Sequence, residues 1–241
     1  MWRSFAGSMR EPGLVVPAFV VPPFLLAFSA SQLQPLTTLP GFPTDNMVAF
    51  AVPIALINGT IFPAISSGIA LARDLNSGFF SRLSLTPARR LELLVSVIAG
   101  PAFAGVLAQI GTVALGALAG AGLPRDVVSL LLLLVVLDIA FSAFGVAVAL
   151  WTESAEAVGA TLPLMMAALG LSTVNVPRDY IAVDWFHAVA TANPASLIVE
   201  SFRWLYGSGI EHWSLLSALA TAGGGVTAAG AAAIVAMWRR F

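Results

Sequence analysis

The sequence contains no cysteine and no lysine, only two histidines, and few charges of either sign: 10% of its residues are Asp, Glu, Lys or Arg. Each shortage removes a class of chemistry. Without cysteine there are no disulfides, thiolate metal sites or cysteine nucleophiles. Without lysine a phosphate-binding loop of the G-x-x-x-x-G-K-[ST] type cannot be built, so ATP, if it powers this protein, must be bound by another chain. His187 and His212 are too few for an imidazole-rich metal centre. A net charge of -1 gives no reason to expect a nucleic-acid partner. Soluble domains are roughly a quarter charged; this chain is 59% hydrophobic and reads as an integral membrane protein.

A bilayer core of ~30 Å needs about 20 apolar residues per helix. Against that length the chain divides into six spans, 14–30, 47–72, 93–120, 127–151, 157–171 and 214–238. The expected fold class is therefore an all-α integral membrane protein with six transmembrane helices. The first apolar run, behind Arg3 and Arg10, has the outline of a secretory signal. Pro17, Pro22 and Pro23 suit a signal core poorly, and a retained first helix is expected. Those prolines, with Pro53 and Pro63 in the second span, remove backbone donors and should kink their helices. Asn58, Thr60, Ser66 and Ser67 lie close by. They either repair the kinked backbone or line a translocation path.

Arginine placement orients the chain, because positive charge near span ends stays on the cytoplasmic side. With the N-terminus inside, the inner segments hold eight arginines (Arg3, Arg10, Arg73, Arg82, Arg89, Arg90, Arg239, Arg240) and the outer segments three (Arg125, Arg178, Arg203). Both termini are thus expected in the cytoplasm. A single transmembrane domain over 1–241 is expected, with a cytoplasmic segment at 1–13, a cytoplasmic loop at 73–92 and an extracytoplasmic segment at 172–213. This last segment, broken by Asn193 and Pro194, suggests short re-entrant or interfacial helices. In it Trp185, Trp204, Tyr206 and Trp213 would suit an aromatic belt, and Glu200 can pair with Arg203 three residues on. GALAG at 116–120 and Gly223, Gly224, Gly225 and Gly230 offer small-residue faces for close helix approach or for a dimer contact.

The 73–92 loop is more than a tether. Leu71, Leu75, Phe79 and Leu83 recur every four residues, with Arg73, Asn76, Ser77 and Arg82 mostly elsewhere around the helix. Thr86 and Pro87 then read as an N-cap and a first-turn proline, starting a second helix over 88–94. Such a loop is either an elbow on the headgroups or a docking surface. In span four, Asp138 costs on the order of 2.5–3.5 kcal/mol to insert and should face protein. It serves a cationic drug or a proton-linked step, or it ties span four to a neighbour, with Ser142 one turn on. Glu153 and Glu156 flank the turn between spans four and five, either solvated or in contact with Arg89 and Arg90.

The stretch RDLNSGFFSRLSLTPARRLELL resembles the loop after span two in ABC-2 type permeases, the membrane subunits of ABC exporters, and in particular the daunorubicin-resistance type. The matching positions are Arg73, Asp74, Gly78, Arg82, Leu83 and Pro87. MREPGLVVPAFVVPPFLL resembles the family's lead into its first span, TESAEAVGATLPLMM its junction of spans four and five, and NPASLIVESFRWL its outer segment. The resemblance implies that two permeases pair, identical or not, and that each docks a separate nucleotide-binding ATPase subunit. That subunit would carry ATP and Mg, leaving this chain without a cofactor and without catalysis of its own. The docking residues it implies, together with the amphipathic pattern, are Arg73, Asp74, Gly78, Phe79, Arg82, Leu83, Pro87, Arg89 and Arg90. Path candidates are Asn58, Thr60, Ser66 and Asp138. The implied cargo is an amphipathic drug or a lipid, and the implied place is a bacterial cell membrane. The loop departs from the family where a second acidic residue would stand next to the glycine; Asn76 and Ser77 are there instead. A proton-coupled secondary transporter built on Asp138 is the alternative. An intramembrane enzyme would need clustered His, Asp or Glu at a membrane face, and the sequence has no such cluster.

Overall fold

A computed structural model describes residues 12–38, 44–77, 90–207 and 213–240. In a bilayer every backbone N–H and C=O must find a partner inside the protein, and the described residues answer with helices and no strand. Helix α1 is Pro12–Leu33, α2 Met47–Gly59, α3 Ile61–Asn76, α4 Arg90–Gly116, α5 Val127–Thr152, α6 Ala155–Gly170, α7 Asp184–Ala192, α8 Pro194–Leu205 and α9 Trp213–Arg240. Five stretches are long and apolar enough to cross a membrane: α1, the α2–α3 pair, α4, α5 and α9. The expected fifth span is α6, whose 16 residues reach only ~24 Å.

The second span breaks in the turn ahead of Pro63, one of the two prolines expected to kink it. Helix α2 continues past Pro53, and the helix is interrupted at Thr60 before α3 begins. The break puts Pro63 in the first turn of α3, where an N–H has no helical acceptor and its loss is harmless. At Thr60 the hydroxyl donates to the Ile57 carbonyl at 2.7 Å, covering an acceptor that the interrupted helix leaves open.

Helix α5 is the centre of the bundle, packed most extensively against α9 and α3, then α4. Two apolar clusters are stacked along it. One holds Leu71, Leu94, Val146, Leu150, Val158 and Ala233 at the end where α3 runs out toward 78–89, the loop end. The other fills the opposite end with Phe50, Ile57, Leu133, Leu137, Phe202 and Leu205 among its members. Helices α3 and α5 meet backbone to backbone. A Cβ on Gly145 would lie 1.8 Å from the Ala64 carbonyl oxygen, and one on Gly68 would lie 2.6 Å from the Gly145 oxygen. Beside this contact Ser67 Oγ donates to the Ser142 carbonyl at 3.1 Å.

At the opposite end, polar side chains tie loops to helix ends. Asn46 caps α2 by accepting from the Ala49 N–H and donates its own Nδ2 to the Gly120 carbonyl at 2.7 Å. Gly120 has φ 98° and closes α4 with a π-turn over Ala117–Ala121, a conformation open to glycine. Gly116 lies against Val52, where a Cβ would come within 2.8 Å of Cγ2. The GALAG glycines thus serve a turn and a close α2 contact. Asp126 caps α5; its hydrogen bonds, first from the Ser129 hydroxyl and then from backbone N–H groups, hold its carboxyl below the usual range.

Residues 172–207, expected to be extracytoplasmic, form a built hairpin. Asn193 Nδ2 donates to the Ala168 and Leu171 carbonyls at 2.7 and 3.2 Å, and Arg125 N–H donates to the Leu205 carbonyl at 2.7 Å. Buried Arg203 gives Nη1 to the Thr173 carbonyl and Nη2 to the Val174 carbonyl, at 2.7 and 2.8 Å, with its guanidinium 4.2 Å above the Phe50 ring. Glu200 takes Arg178 at 2.9 Å. Helix α8 buries Val199, Phe202 and Leu205 and packs on α9 and α2. Tyr206 is buried while Trp185 is exposed, so of these two only Trp185 suits a belt.

Gly145→Ala should lower thermal stability by about 1–3 kcal/mol, since the added methyl meets backbone that cannot move alone. Gly111→Ala in α4, where the added Cβ meets nothing within 4 Å, should leave it within about 0.5 kcal/mol. Equal melting temperatures for the two variants in one detergent would refute the tight crossing.

Candidate functional site

The loop end carries those candidate docking residues that the structure describes. Helix α3 turns Leu71 and Leu75 toward the loop-end cluster and leaves Arg73, Asn76 and Ser77 exposed. The amphipathic face expected from the sequence is therefore real as far as Ser77. Arg73 and Asp74 lie in the last turn of α3, and Arg90 opens α4. Gly78, Phe79, Arg82, Leu83, Pro87 and Arg89 lie outside the described residues, as do the expected helix start at Thr86 and the expected contacts of Arg89 with Glu153 and Glu156.

The described part adds a link that sequence reading missed. Asn76 Nδ2 donates to the Glu153 carbonyl at 3.0 Å. Glu153 is the C-cap of α5, its N–H bonded to the Ala149 carbonyl at 2.8 Å, and its φ of 52° is left-handed, an uncommon conformation for a residue with a Cβ. Ser154 then caps α6 by accepting from the Ala157 N–H at 3.1 Å. One amide thus joins the end of α3 to the turn between α5 and α6. Asn76 stands where the resemblance led one to look for a carboxylate, and an asparagine can donate to a carbonyl where a carboxylate cannot.

Inside the bundle, the path candidates mostly bond back to their own helix. Asn58 Nδ2 donates to the Ile54 carbonyl at 2.7 Å, and Ser66 Oγ to the Pro63 carbonyl at 3.2 Å. With the Thr60 bond to Ile57, all three match the backbone-repair reading of these residues. Thr60 and Asp138 are fully buried within the chain, Asn58 and Ser66 partly so.

Asp138 has a partner other than Ser142. Both of its carboxylate oxygens accept from Gln109 Nε2 of α4, at 2.9 and 3.0 Å. Ser142 Oγ and Gln109 Oε1 are buried with no partner among the described residues. Room for the carboxylate comes from Gly105, where a Cβ would sit 3.1 Å from Asp138 Oδ2 and 2.3 Å from Pro63 Cγ. Gln109 itself packs at the end of α2, its Cγ 3.2 Å from where a Gly59 Cβ would be. The pair therefore sits at the α2–α3 break, joining α4 to α5. In the sequence its one signal was an amide side chain in an otherwise apolar stretch of α4. Among the described residues no group of three or more His, Asp or Glu could hold a metal ion.

The family model described as ABC-2 type transporter matches residues 1–206. No curated protein matches the chain. With most of its length covered by that family and several apolar helices of membrane-crossing length, the chain belongs to the ABC-2 type transporter family and is a multi-pass membrane component of a transporter.

Proposed function

We propose that this chain is the permease half of an ATP-driven exporter. It pairs with a second permease, identical or a sister chain, and docks a separate nucleotide-binding subunit that carries ATP and Mg. One observation carries the reading: a member of this transporter family that has no lysine for a phosphate-binding loop must take its nucleotide chemistry from elsewhere. The docking surface is the 73–92 segment, with Arg73 and Asp74 at its start and Gly78, Phe79, Arg82, Leu83, Pro87, Arg89 and Arg90 along it. Through Asn76 and Glu153 a push on that segment reaches α3, α5 and α6 together. Both termini and this loop face the cytoplasm of a bacterial cell in this reading, and α6 counts as a sixth span. The whole chain is then one transmembrane domain.

The cargo is an amphipathic drug or lipid, as in the daunorubicin-resistance type that the loop resembles; the scarcity of charge in the spans favours it. The buried Asp138 is the observation that favours the second reading, a proton-coupled secondary transporter.

Arg82→Glu combined with Gly78→Pro should abolish co-purification of an ATPase subunit while the permease still inserts. Undiminished association would sink the docking assignment, and a wild-type chain that never retains an ATPase would favour the second reading. For orientation, single cysteines at Ser84 and Ser208 of this cysteine-free chain should react with an impermeant maleimide from opposite sides of the membrane. Labelling of both from one side would overturn the topology.

A further inference from the structure

Asp138 stands alone in charge. It is the only ionisable residue of α5, and the helices around it bring none to its depth: α1 has none, α2 and α3 none before Arg73, α4 none after Glu92, α6 none after Glu156 and α9 none before Arg239. On α8, Arg203 is committed to the Thr173 and Val174 carbonyls and Glu200 to Arg178. A carboxylate in a dry interior needs a positive partner or a proton, and no side chain of the surrounding described helices can supply one.

The neighbouring groups leave two buried polar oxygens without partners. Among the described residues, Gln109 Nε2 is the donor to both carboxylate oxygens. Gln109 Oε1 and Ser142 Oγ, each in a fully buried residue, have no partner among the described residues. Helix α2 ends at Gly59 against Gln109, and Pro63, which has no N–H, leaves the Gly59 carbonyl without its i+4 helical donor. Interrupted membrane helices elsewhere hold small cations in this way, with carbonyls and half-helix ends at mid-membrane.

We propose that Asp138, Gln109 and Ser142 form a binding site for a small monovalent cation, a proton or Na+, at the joint of α2, α4 and α5. A proton would turn the carboxylate into an acid whose O–H donates to Gln109 Oε1, giving that oxygen its missing partner. Na+ would instead take oxygens from the carboxylate, the amide and the Ser142 hydroxyl, ligands of the hard type that such ions prefer. Either occupant neutralises the charge and fastens α4 to α5 beside the α2–α3 break. The site is independent of ATPase docking.

The test uses the purified full-length chain in lipid nanodiscs, with wild type, Asp138→Asn and Gln109→Met checked for monodispersity. Melting temperature is followed as NaCl replaces choline chloride at constant ionic strength, and separately as pH is lowered in choline alone. A Na+-dependent rise on the order of 3 °C at tenfold excess over the dissociation constant, absent in Asp138→Asn, identifies a Na+ site. No response to Na+, but an acid stabilisation that Asp138→Asn lacks, identifies a proton site. Should Asp138→Asn fail to fold, Gln109→Met keeps the carboxylate and removes one oxygen and the amide donor; it should need roughly tenfold more Na+, or show its acid stabilisation displaced in pH from that of wild type. Titrations in which the variants follow wild type, or in which wild type responds to neither cation, overturn the site.

Discussion

The contact on which the rest of the bundle depends is the crossing of α3 and α5 at Gly68 and Gly145. Lipid gives helices no hydrophobic reason to associate, so close van der Waals contact and interhelical hydrogen bonds must do it. Here the approach is close enough that the Ala64 carbonyl occupies the place of a side chain on α5, and Ser67 adds a bond to the Ser142 carbonyl. With that crossing set, α9 lies on α5, and the two apolar clusters fill the space above and below it.

The two polar features of interest sit on either side of this crossing and on the helices it joins. Toward the loop end, Asn76 on α3 reaches the turn that ends α5. Toward the α2–α3 break, Asp138 on α5 reaches Gln109 on α4. Each is a bond between helices that are otherwise held mostly by apolar packing, so each has a directional preference that packing lacks. A change at either place alters how α5 sits against its neighbours.

Much of the fold could be read from the chain because lipid imposes lengths on it. Runs of apolar residues marked the membrane-crossing helices, and the i, i+4 spacing of Leu71 and Leu75 marked the buried face of α3 correctly. Where reading stopped short, the cause was tertiary. The break at Thr60 depends on where Pro63 falls relative to a helix start, which a count of prolines does not contain. Gln109 and Asp138 are 29 residues apart on different helices, beyond any local periodicity. Within-helix spacing pointed Glu200 at Arg203, yet Glu200 also takes Arg178 from a preceding loop, while Arg203 reaches carbonyls of Thr173 and Val174. The left-handed Glu153 followed from no propensity rule, since glycine or asparagine is the usual choice there.

Helix α6 has a consequence for how the protein is made. Its ~24 Å falls short of a ~30 Å hydrocarbon core, and the carbonyls at its end are completed by Asn193, in a part of the chain synthesised later. Until Asn193 has left the ribosome, those carbonyls lack the donor that the finished protein gives them. The end of α6 is thus completed only when the hairpin that follows it has formed.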